Sequence, residues 1–369
     1  MTSSPMPSVR TRFRRSAPER CLTYRHAVPA PRLVSTMFKL SIRRERSVPE
    51  WKRFTARLTG ALLVVGLVFR TPFALAAERP VLPATGKPDG TVVLDMRQTR
   101  NPVLEAAHEV EAELDARVGL AILDTVTGTR WLYNADQRFP MASTFKVLAC
   151  GALLAHADAG TERLVRKVRI TQADLVTYSP VTEKWVGQEV SLADLCAATL
   201  RTSDNTAANK VLDAIGGPAA LTAFLRSLGD ARTRLDRWET ALNEGAPGDL
   251  RDTTTPTSMV ATLHKLLLGN ALLTASRDLL VGWLESNAVG GPLLRAGIPG
   301  DWRIADRSGA GGYGSRGVVG VMWPPGRPPI IAAIYITQTQ ASMDVRNTAI
   351  SRIGRALAEA MQLQHRSAP

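Results

Sequence analysis

The order of secondary-structure patterns along the chain is the feature that most restricts its fold. Residues 117–136 read as a strand, a turn at Thr127-Gly128 and a second strand. Residues 316–339 predict two more strands around a Pro/Gly turn, and most of the stretch between the hairpins, about 144–285, has helical periodicity. This order predicts an antiparallel sheet with helices covering it and a helical insertion folded as a second lobe.

Two further helices flank this arrangement, at residues 101–115 and 344–364. The fold class is therefore α/β in the broad sense (α+β), an antiparallel sheet flanked by helices plus an all-helical lobe. We expect an α/β lobe at about 78–140 and 286–369 and a helical lobe at about 141–285. The cleft between two such lobes is the usual place for a small-molecule site.

The formal net charge of +13 does not describe the folded part of the chain. Residues 1–77 hold 15 Lys and Arg against 3 Asp and Glu, whereas the remaining residues hold 31 against 30. The folded part is close to neutral, so we expect no nucleic-acid partner.

The basic N-terminal part has the pattern of a targeting segment. A basic stretch at 43–57 precedes an apolar run at 58–69 that is too short to span a bilayer comfortably. Small residues at A-x-A spacing then predict a secretory signal cut after Ala76 or Ala77, and so export to the periplasm without a stable membrane anchor. The signal lies deep in the chain, so Met37 is a plausible true start. An N-terminal membrane anchor is the alternative.

Two of the three cysteines, Cys150 and Cys196, fall within the expected mature domain, residues 78–369, and Cys21 lies upstream of it. An even pair in an exported protein permits one disulfide, and two buried free thiols are the alternative.

Ser143 and Lys146 lie three residues apart at the start of an apolar helix. This spacing places both on one face, where a lysine with a depressed pKa can activate a serine nucleophile. An ordinary helix start is the alternative. Ser203, Asp204 and Asn205 follow, and a loop with an N-capped helix explains these three equally well by themselves.

The polar segment 237–256 has little hydrophobic periodicity, and long irregular loops inside compact domains are often functional. Glu239 and Asn243 are four residues apart, so one turn can direct both side chains at the same water. Arg237 and Asp252 are placed to close the loop as an ion pair. A solvated surface loop is the alternative.

Residues 306–320 contain G-x-G-x-x-G, which also occurs in dinucleotide-binding proteins. That fingerprint must open a helix, whereas this match leads into a strand. We interpret it as an edge strand whose glycines let a ligand approach the backbone. Arg307, Ser308 and Arg316 would then offer charge and a hydroxyl to a carboxylate.

These motifs in this order, S-x-x-K, S-D-N, E-x-x-x-N and a cationic residue before Ser-Gly, resemble those of class A serine β-lactamases. The resemblance covers about residues 95–365. It implies that Ser143 attacks the β-lactam carbonyl within a proton network that includes Lys146, and that Ser203 relays a proton to the leaving nitrogen. Glu239 and Asn243 would hold the water that hydrolyses the acyl-enzyme.

The resemblance also implies a substrate site. The backbone N–H groups of Ser143 and Ala310 would form the oxyanion hole. The substrate-binding positions are Asn205, Tyr178, Arg307, Ser308, Gly309, Ala310 and Arg316. Cys150 and Cys196 match the pair that forms a disulfide in many members. No metal or other cofactor is expected. We expect a monomer that acts on small-molecule β-lactams.

One departure from the common pattern concerns the third motif, which is Arg307-Ser308-Gly309 in place of Lys-Thr-Gly or Lys-Ser-Gly. It resembles the carbenicillin-hydrolysing branch of class A and implies turnover of penicillins, including those with a side-chain carboxylate. Ala142 and Gly311 stand where many carbapenem-hydrolysing members have paired cysteines, so that activity is not predicted.

Two other functions share part of this pattern. A D,D-peptidase or penicillin-binding protein has the serine, the lysine and the third motif, but Glu239 with Asn243 argues against it because they serve deacylation. A non-catalytic β-lactam sensor needs a membrane-spanning partner region, and the sequence shows none beyond the signal segment.

Overall fold

The computed structural model describes residues 101–366, and its largest sheet has five antiparallel strands in the order β2-β1-β9-β8-β7. Two short strand pairs, β3 with β6 and β4 with β5, lie outside this sheet. The strands are β1 (Arg117–Asp124), β2 (Arg130–Tyr133), β3 (Phe139–Pro140), β4 (Lys167–Arg169), β5 (Glu189–Ser191), β6 (Thr253–Thr254), β7 (Arg303–Ala310), β8 (Arg316–Trp323) and β9 (Ile330–Thr337).

Helices cover the sheet and form the long insertion between β3 and β7. They are α1 (Pro102–Glu113), α2 (Phe145–Asp158), α3 (Leu192–Thr202), α4 (Asn205–Ile215), α5 (Gly217–Ser227), α6 (Pro256–Leu267), α7 (Thr274–Glu285), α8 (Leu294–Gly297) and α9 (Met343–Arg366). Short 3-10 turns precede α2 and interrupt the loops of the insertion.

Two apolar cores lie on opposite faces of the sheet. The first is formed with α1, α8 and α9 and includes Val110, Ile334 and Leu357. The second joins the other face to α6 and to the helices of the insertion, with Leu148 and Leu263 among its buried members. Strands β8 and β9 are buried almost throughout, as expected for central strands with covered faces.

The element pattern predicted from the sequence is confirmed. Helix α1 matches the expected helix at 101–115, and strands β1 and β2 form the expected hairpin with Gly128 at a positive φ of 72° in the turn. Strand β7 is an edge strand, as its glycine-rich sequence suggested. The short strands β3 to β6 were not predicted, because pairs of two or three residues leave no periodic signal.

The predicted signal segment and its cleavage site lie outside the described residues, and the expected lobe boundaries stay predictions. Within residues 101–366, no helix is long and apolar enough to cross a membrane.

The structure joins Cys150 of α2 to Cys196 of α3 in a disulfide, with 5.8 Å between the two Cα atoms. Both cysteines are fully buried in the core of the insertion. The bridge ties the helix that follows the nucleophile to the helix that precedes Ser203, so it links two elements of the candidate site.

Candidate active site

Ser143 lies in a tight 3-10 turn that joins β3 to α2. Ala142 has a φ of 42°, a left-handed conformation that is uncommon for a residue with a Cβ, and it makes the chain turn sharply before the helix. The Thr144 hydroxyl donates to the Met141 carbonyl at 2.8 Å and fixes the turn. Ser143 is 8% exposed, so the turn presents a nearly buried hydroxyl at the N-terminus of a buried helix.

Lys146 is completely buried one turn beyond Ser143. Its Nζ faces four acceptors, which are the Ser203 carbonyl at 2.9 Å, the Ser203 hydroxyl at 3.2 Å, Asn205 Oδ1 at 2.6 Å and Glu239 Oε1 at 3.0 Å. Burial lowers the pKa of Lys146 to about 8, the Arg307 charge acts in the same direction, and Glu239 opposes both. Lys146 therefore has the depressed pKa expected from the sequence, and at neutral pH most of it is still the ammonium.

Ser203 stands between the nucleophile and two cations. It ends α3 with a φ of 66°, and this left-handed conformation turns its side chain out of the helix into the site. Its hydroxyl accepts from Arg307 Nη2 and from Lys146 Nζ, and it donates to Ser143 Oγ at 3.1 Å. Within the described residues this is the one hydrogen bond of the Ser143 hydroxyl.

Asp204, between the two functional residues of S-D-N, is structural. Its carboxylate caps α4 by accepting from the Ala207 amide at 2.8 Å. It also accepts from the Thr182 amide and hydroxyl, at 2.9 and 2.8 Å. The helix-capping interpretation was thus right for this residue, whereas its neighbour Asn205 donates to the Thr177 carbonyl and holds Lys146.

Glu239 and Asn243 face each other as expected. The Asn243 amide donates to Glu239 Oε2 at 2.5 Å, while Glu239 Oε1 pairs with Lys146. Asn243 Oδ1 is buried and accepts no hydrogen bond from any described residue. A water in this corner would find an acceptor and a carboxylate that can take its proton.

The loop that carries these two residues is closed by the predicted ion pair. Arg237 Nε donates to Asp252 Oδ2 at 2.6 Å, and the Asp252 carboxylate also accepts from the backbone amides of Asp236 and Arg237. Asp252 is 1% exposed, so this charge is desolvated and depends on those donors.

Asn209 is a positioning residue that the sequence did not reveal. From α4 it accepts from the Glu239 amide and donates to the Glu239 carbonyl, both at 3.0 Å. It lies four residues after Asn205, so both amides project from one face of α4. This i, i+4 pair of asparagines was the one feature of the sequence that could have pointed to Asn209 as part of the site.

The third motif lies on edge strand β7. Arg307 is fully buried, and burial lowers the pKa of its guanidinium to about 10, so it remains charged at neutral pH. The structure places it beside Ser203 rather than in the wall of the cleft, and its direct contact with a substrate carboxylate stays a prediction. A Cβ at Gly309 would lie 2.8 Å from the Met141 carbonyl oxygen and 3.0 Å from the Ser143 nitrogen, so only glycine lets β7 lie against the nucleophile turn.

Residues from all four motifs line one cavity of about 350 Å³, while Lys146, Glu239 and Arg307 are buried behind its wall. Tyr178, 55% exposed, forms part of its rim, and Arg316 Nη1 donates to the Gly309 carbonyl at 3.1 Å. Val289 and Met343 also line it and were not predicted, since each is an apolar residue without a motif. The lining residues are Ser143, Tyr178, Ser203, Asn205, Asn243, Val289, Ser308, Gly309, Ala310, Arg316 and Met343.

The cavity wall contains the serine, the hydroxyl of Ser203 that bonds to it and the arginine Arg316, and the buried Lys146–Glu239 pair lies behind this wall. Among the residues that the structure describes, no group of three or more His, Cys, Asp or Glu side chains could hold a metal ion. This arrangement suits nucleophilic acyl transfer followed by water attack on the ester.

Comparison with known proteins gives one consistent result. A model of the beta-lactamase enzyme family matches residues 102–361. Beta-lactamase PSE-4 of Pseudomonas aeruginosa is 52% identical over 257 residues, which are 70% of this chain and 89% of that protein. Beta-lactamase AER-1 of Aeromonas hydrophila is 52% identical over 253 residues, covering 68% of this chain and 83% of that protein.

Comparison with solved structures also finds class A beta-lactamases. An ancestral class A beta-lactamase is 55% identical with a TM-score of 0.69 and covers 70% of this chain and 99% of that chain. A putative class A beta-lactamase, PenP of Rhodopseudomonas palustris, is 48% identical with the same TM-score and coverage. The matched region contains every residue of the candidate site.

Proposed function

The chain belongs to the class A serine β-lactamases, and from that premise we propose how its own residues hydrolyse penicillins, including those with a side-chain carboxylate. The observation that carries the proposal is the joint contact of Ser203 with Ser143, Lys146 and Arg307. It places a hydroxyl relay between the nucleophile and two cations, next to a carboxylate that can serve as a base.

The hydrogen-bond directions around Ser203 identify what the relay can do in the free enzyme. Both cations can only donate, so they occupy the two lone pairs of the Ser203 oxygen. The Ser203 proton is then directed at Ser143 Oγ, and Ser203 cannot accept the proton that Ser143 must lose. The Ser203 hydroxyl is therefore oriented to donate its proton, as the leaving nitrogen of the opened ring requires.

The environment of Lys146 favours its charged form as the working state. An ammonium has three protons for the acceptors around it, whereas a neutral amine would turn its lone pair toward one of them. Glu239 is then the base for acylation, taking the Ser143 proton through a water. The Ser143 oxygen bonds to the carbonyl carbon, the ring C–N bond breaks, and the nitrogen takes its proton from Ser203. Lys146, 3.2 Å from the Ser203 hydroxyl, then reprotonates Ser203 and recovers a proton from Glu239 at 3.0 Å, so Glu239 is again a carboxylate.

Deacylation uses the same carboxylate. A water between Glu239 and Asn243 gives its proton to Glu239 and attacks the ester carbon, the ester bond breaks, and Ser143 regains a proton. The buried acceptor Asn243 Oδ1 suits this water. This step distinguishes hydrolysis from the long-lived acylation of a D,D-peptidase.

Substrate binding is proposed on the β7 side of the cavity. Ser308 and Arg316 line it and would bind the ring carboxylate, while Asn205 and Tyr178 would contact the side chain. Burial lowers the pKa of Arg316 to about 10, and the neighbouring Arg346 acts in the same direction. The guanidinium therefore stays charged at neutral pH and can attract an anionic ligand.

The disulfide Cys150–Cys196 supports export, because such bonds persist in oxidising compartments. We propose a periplasmic protein released by cleavage after Ala76 or Ala77, acting as a monomer.

The test is hydrolysis of a chromogenic cephalosporin and of carbenicillin by the chain from residue 78 onward, with Ser143→Ala as the inactive control. We expect turnover of both substrates by the unchanged protein and none by the variant. Stoichiometric acylation without turnover would instead indicate a D,D-peptidase or sensor.

A further inference from the structure

Two arginines lie close together at one end of the catalytic cavity. Arg316 begins β8 and lines the cavity, whereas Arg346 lies in the first turn of α9, a helix that begins at another lining residue, Met343. The two guanidiniums are coupled, because the charge of Arg346 lowers the pKa of Arg316. The proposed mechanism gives a role to Arg316 and none to Arg346.

Hydrogen bonds hold Arg346 beside the cavity wall. Its Nη1 donates to the carbonyl of Ser315, the residue before Arg316, at 3.4 Å. Its Nε donates to the Ser342 carbonyl at 3.2 Å, just before the start of α9. Asn347, the next residue of the helix, accepts from Arg316 Nε at 2.8 Å. Two consecutive residues of α9 therefore fix both guanidiniums at the same end of the cavity.

Neither guanidinium is neutralised by a carboxylate of residues 101–366. The hydrogen bonds of both arginines go to backbone carbonyls or to the side-chain amide of Asn347. Asp344, in the first turn of α9, is exposed and pairs with neither. The N-terminus of this 24-residue helix adds a partial positive charge at the same end. Because like charges repel, the free enzyme has an electrostatic cost here that a bound anion would relieve.

We propose that Arg346 is a specificity-determining residue that selects substrates by the negative charge of their ring carboxylate. Arg316 would contact the carboxylate, and Arg346 would attract it from the α9 side without touching it. An anion bound at this pair gains attraction from both cations and offsets their mutual repulsion. The inference rests on the proposed function, which places the ring carboxylate at Arg316.

The test compares benzylpenicillin with its methyl ester, which keeps the ring system but has no charge. Arg346→Gln should lower kcat/KM for benzylpenicillin about three- to ten-fold, the size expected for one partly screened charge pair. The loss should appear in KM with kcat little changed, since the carboxylate is bound equally in the ground and transition states. The kcat/KM for the methyl ester should not change, which also shows that the variant folds.

Two further variants separate charge from structure. Arg346→Lys keeps the charge and should restore most of the kcat/KM for benzylpenicillin, although an ammonium does not reproduce the planar donor geometry of the guanidinium. Arg352→Gln is the matched control, because it removes the same charge from the same helix at a residue that pairs with Glu109 and Glu113. It should leave kcat/KM for both substrates unchanged.

Ionic strength gives an independent measurement of the same charge effect. In 1 M NaCl the Debye length is about 3 Å, so the half-exposed Arg346 charge should be largely screened. The loss caused by Arg346→Gln should then shrink to less than about two-fold.

Four outcomes would overturn the inference while β-lactam hydrolysis itself stands. An unchanged kcat/KM in Arg346→Gln would remove its basis. Equal losses with the acid and the ester, or no recovery in Arg346→Lys, would show that Arg346 only anchors α9. A loss in Arg352→Gln as large as that in Arg346→Gln would assign the effect to overall net charge. Failure of the unchanged protein to hydrolyse benzylpenicillin would refute the proposed function and this inference with it.

Discussion

Replacing Asn209 with alanine should slow deacylation while leaving the protein folded. Asn209 makes two hydrogen bonds to the backbone of Glu239, each 3.0 Å long, and touches no reacting atom. The alanine variant leaves an amide and a carbonyl of a nearly buried residue unpaired, at about 1–3 kcal/mol each. The two together sum to about 2–6 kcal/mol, and we use the lower part of that range, about 2–4 kcal/mol, for the attachment of Glu239 to α4.

That energy sets the expected rate. If the whole loss raises the free-energy barrier of deacylation, this step slows about 30- to 1,000-fold, since each 1.36 kcal/mol is a factor of ten in rate. Acylation should slow less, because Lys146 has a pKa of about 8 that Glu239 helps to hold up, so displacement of Glu239 yields more neutral amine, which can take the Ser143 proton through Ser203. An acyl-enzyme should therefore accumulate during turnover of benzylpenicillin.

Stopped-flow kinetics with separate acylation and deacylation rates measure this effect. Lys210→Ala is the matched control on the same helix, since Lys210 pairs with Asp174 at 2.6 Å and makes no contact with Glu239. The control should show no burst. Equal slowing of both steps in Asn209→Ala, or no slowing of either, would refute the positioning role.

Three further predictions test other parts of the site. First, kcat/KM should fall as pH rises through about 8, because Lys146 works as the ammonium and loses its proton near its lowered pKa; a pH–rate profile that rises through this range would make the neutral amine the base. Second, Arg307→Lys should keep hydrolysis of benzylpenicillin and lower the relative rate with carbenicillin, since an ammonium keeps the charge but not the planar reach to Ser203; unchanged relative rates would count against it. Third, replacing both Cys150 and Cys196 with alanine should lower the free energy of unfolding by about 4 kcal/mol, as expected for a closed loop of 46 residues, with kcat little changed; chemical denaturation measures it, and an unchanged midpoint would contradict a stabilising role.

The sequence predicted the elements of the fold well because long periodic segments specify their own type. Helix α9 has a clear helical period, strand β9 is a continuous apolar run, and the glycines of β7 marked an edge strand. The position of Arg346 beside Arg316 was not predictable, since it depends on how the start of α9 packs against the start of β8. That contact is set by packing and not by any local pattern.

The candidate site was predicted where a motif fixes spacing and was incomplete elsewhere. Ser143 and Lys146 were placed by one helical turn, but the sequence could not show that Ser203 would lie between them and Arg307. Burial of Arg307 depends on β7 packing against the nucleophile turn, a contact between residues more than 160 positions apart. Asn209 was missed because its partners are backbone atoms of a distant loop, so its i, i+4 spacing from Asn205 does not reveal what it contacts.

The most direct test of the mechanism is the mass of Glu239→Ala after incubation with benzylpenicillin. Without the Glu239 charge, which raises the pKa of Lys146, the neutral amine of Lys146 can replace Glu239 as the base for acylation but not for deacylation. The account therefore predicts a stable covalent adduct of the whole penicillin on the peptide that contains Ser143, with almost no product released. Removal of both Glu239 and Ser143 should abolish the adduct. Continued turnover by Glu239→Ala, or an adduct on a residue other than Ser143, would contradict the assignment of Ser143 as the nucleophile and Glu239 as the deacylating base.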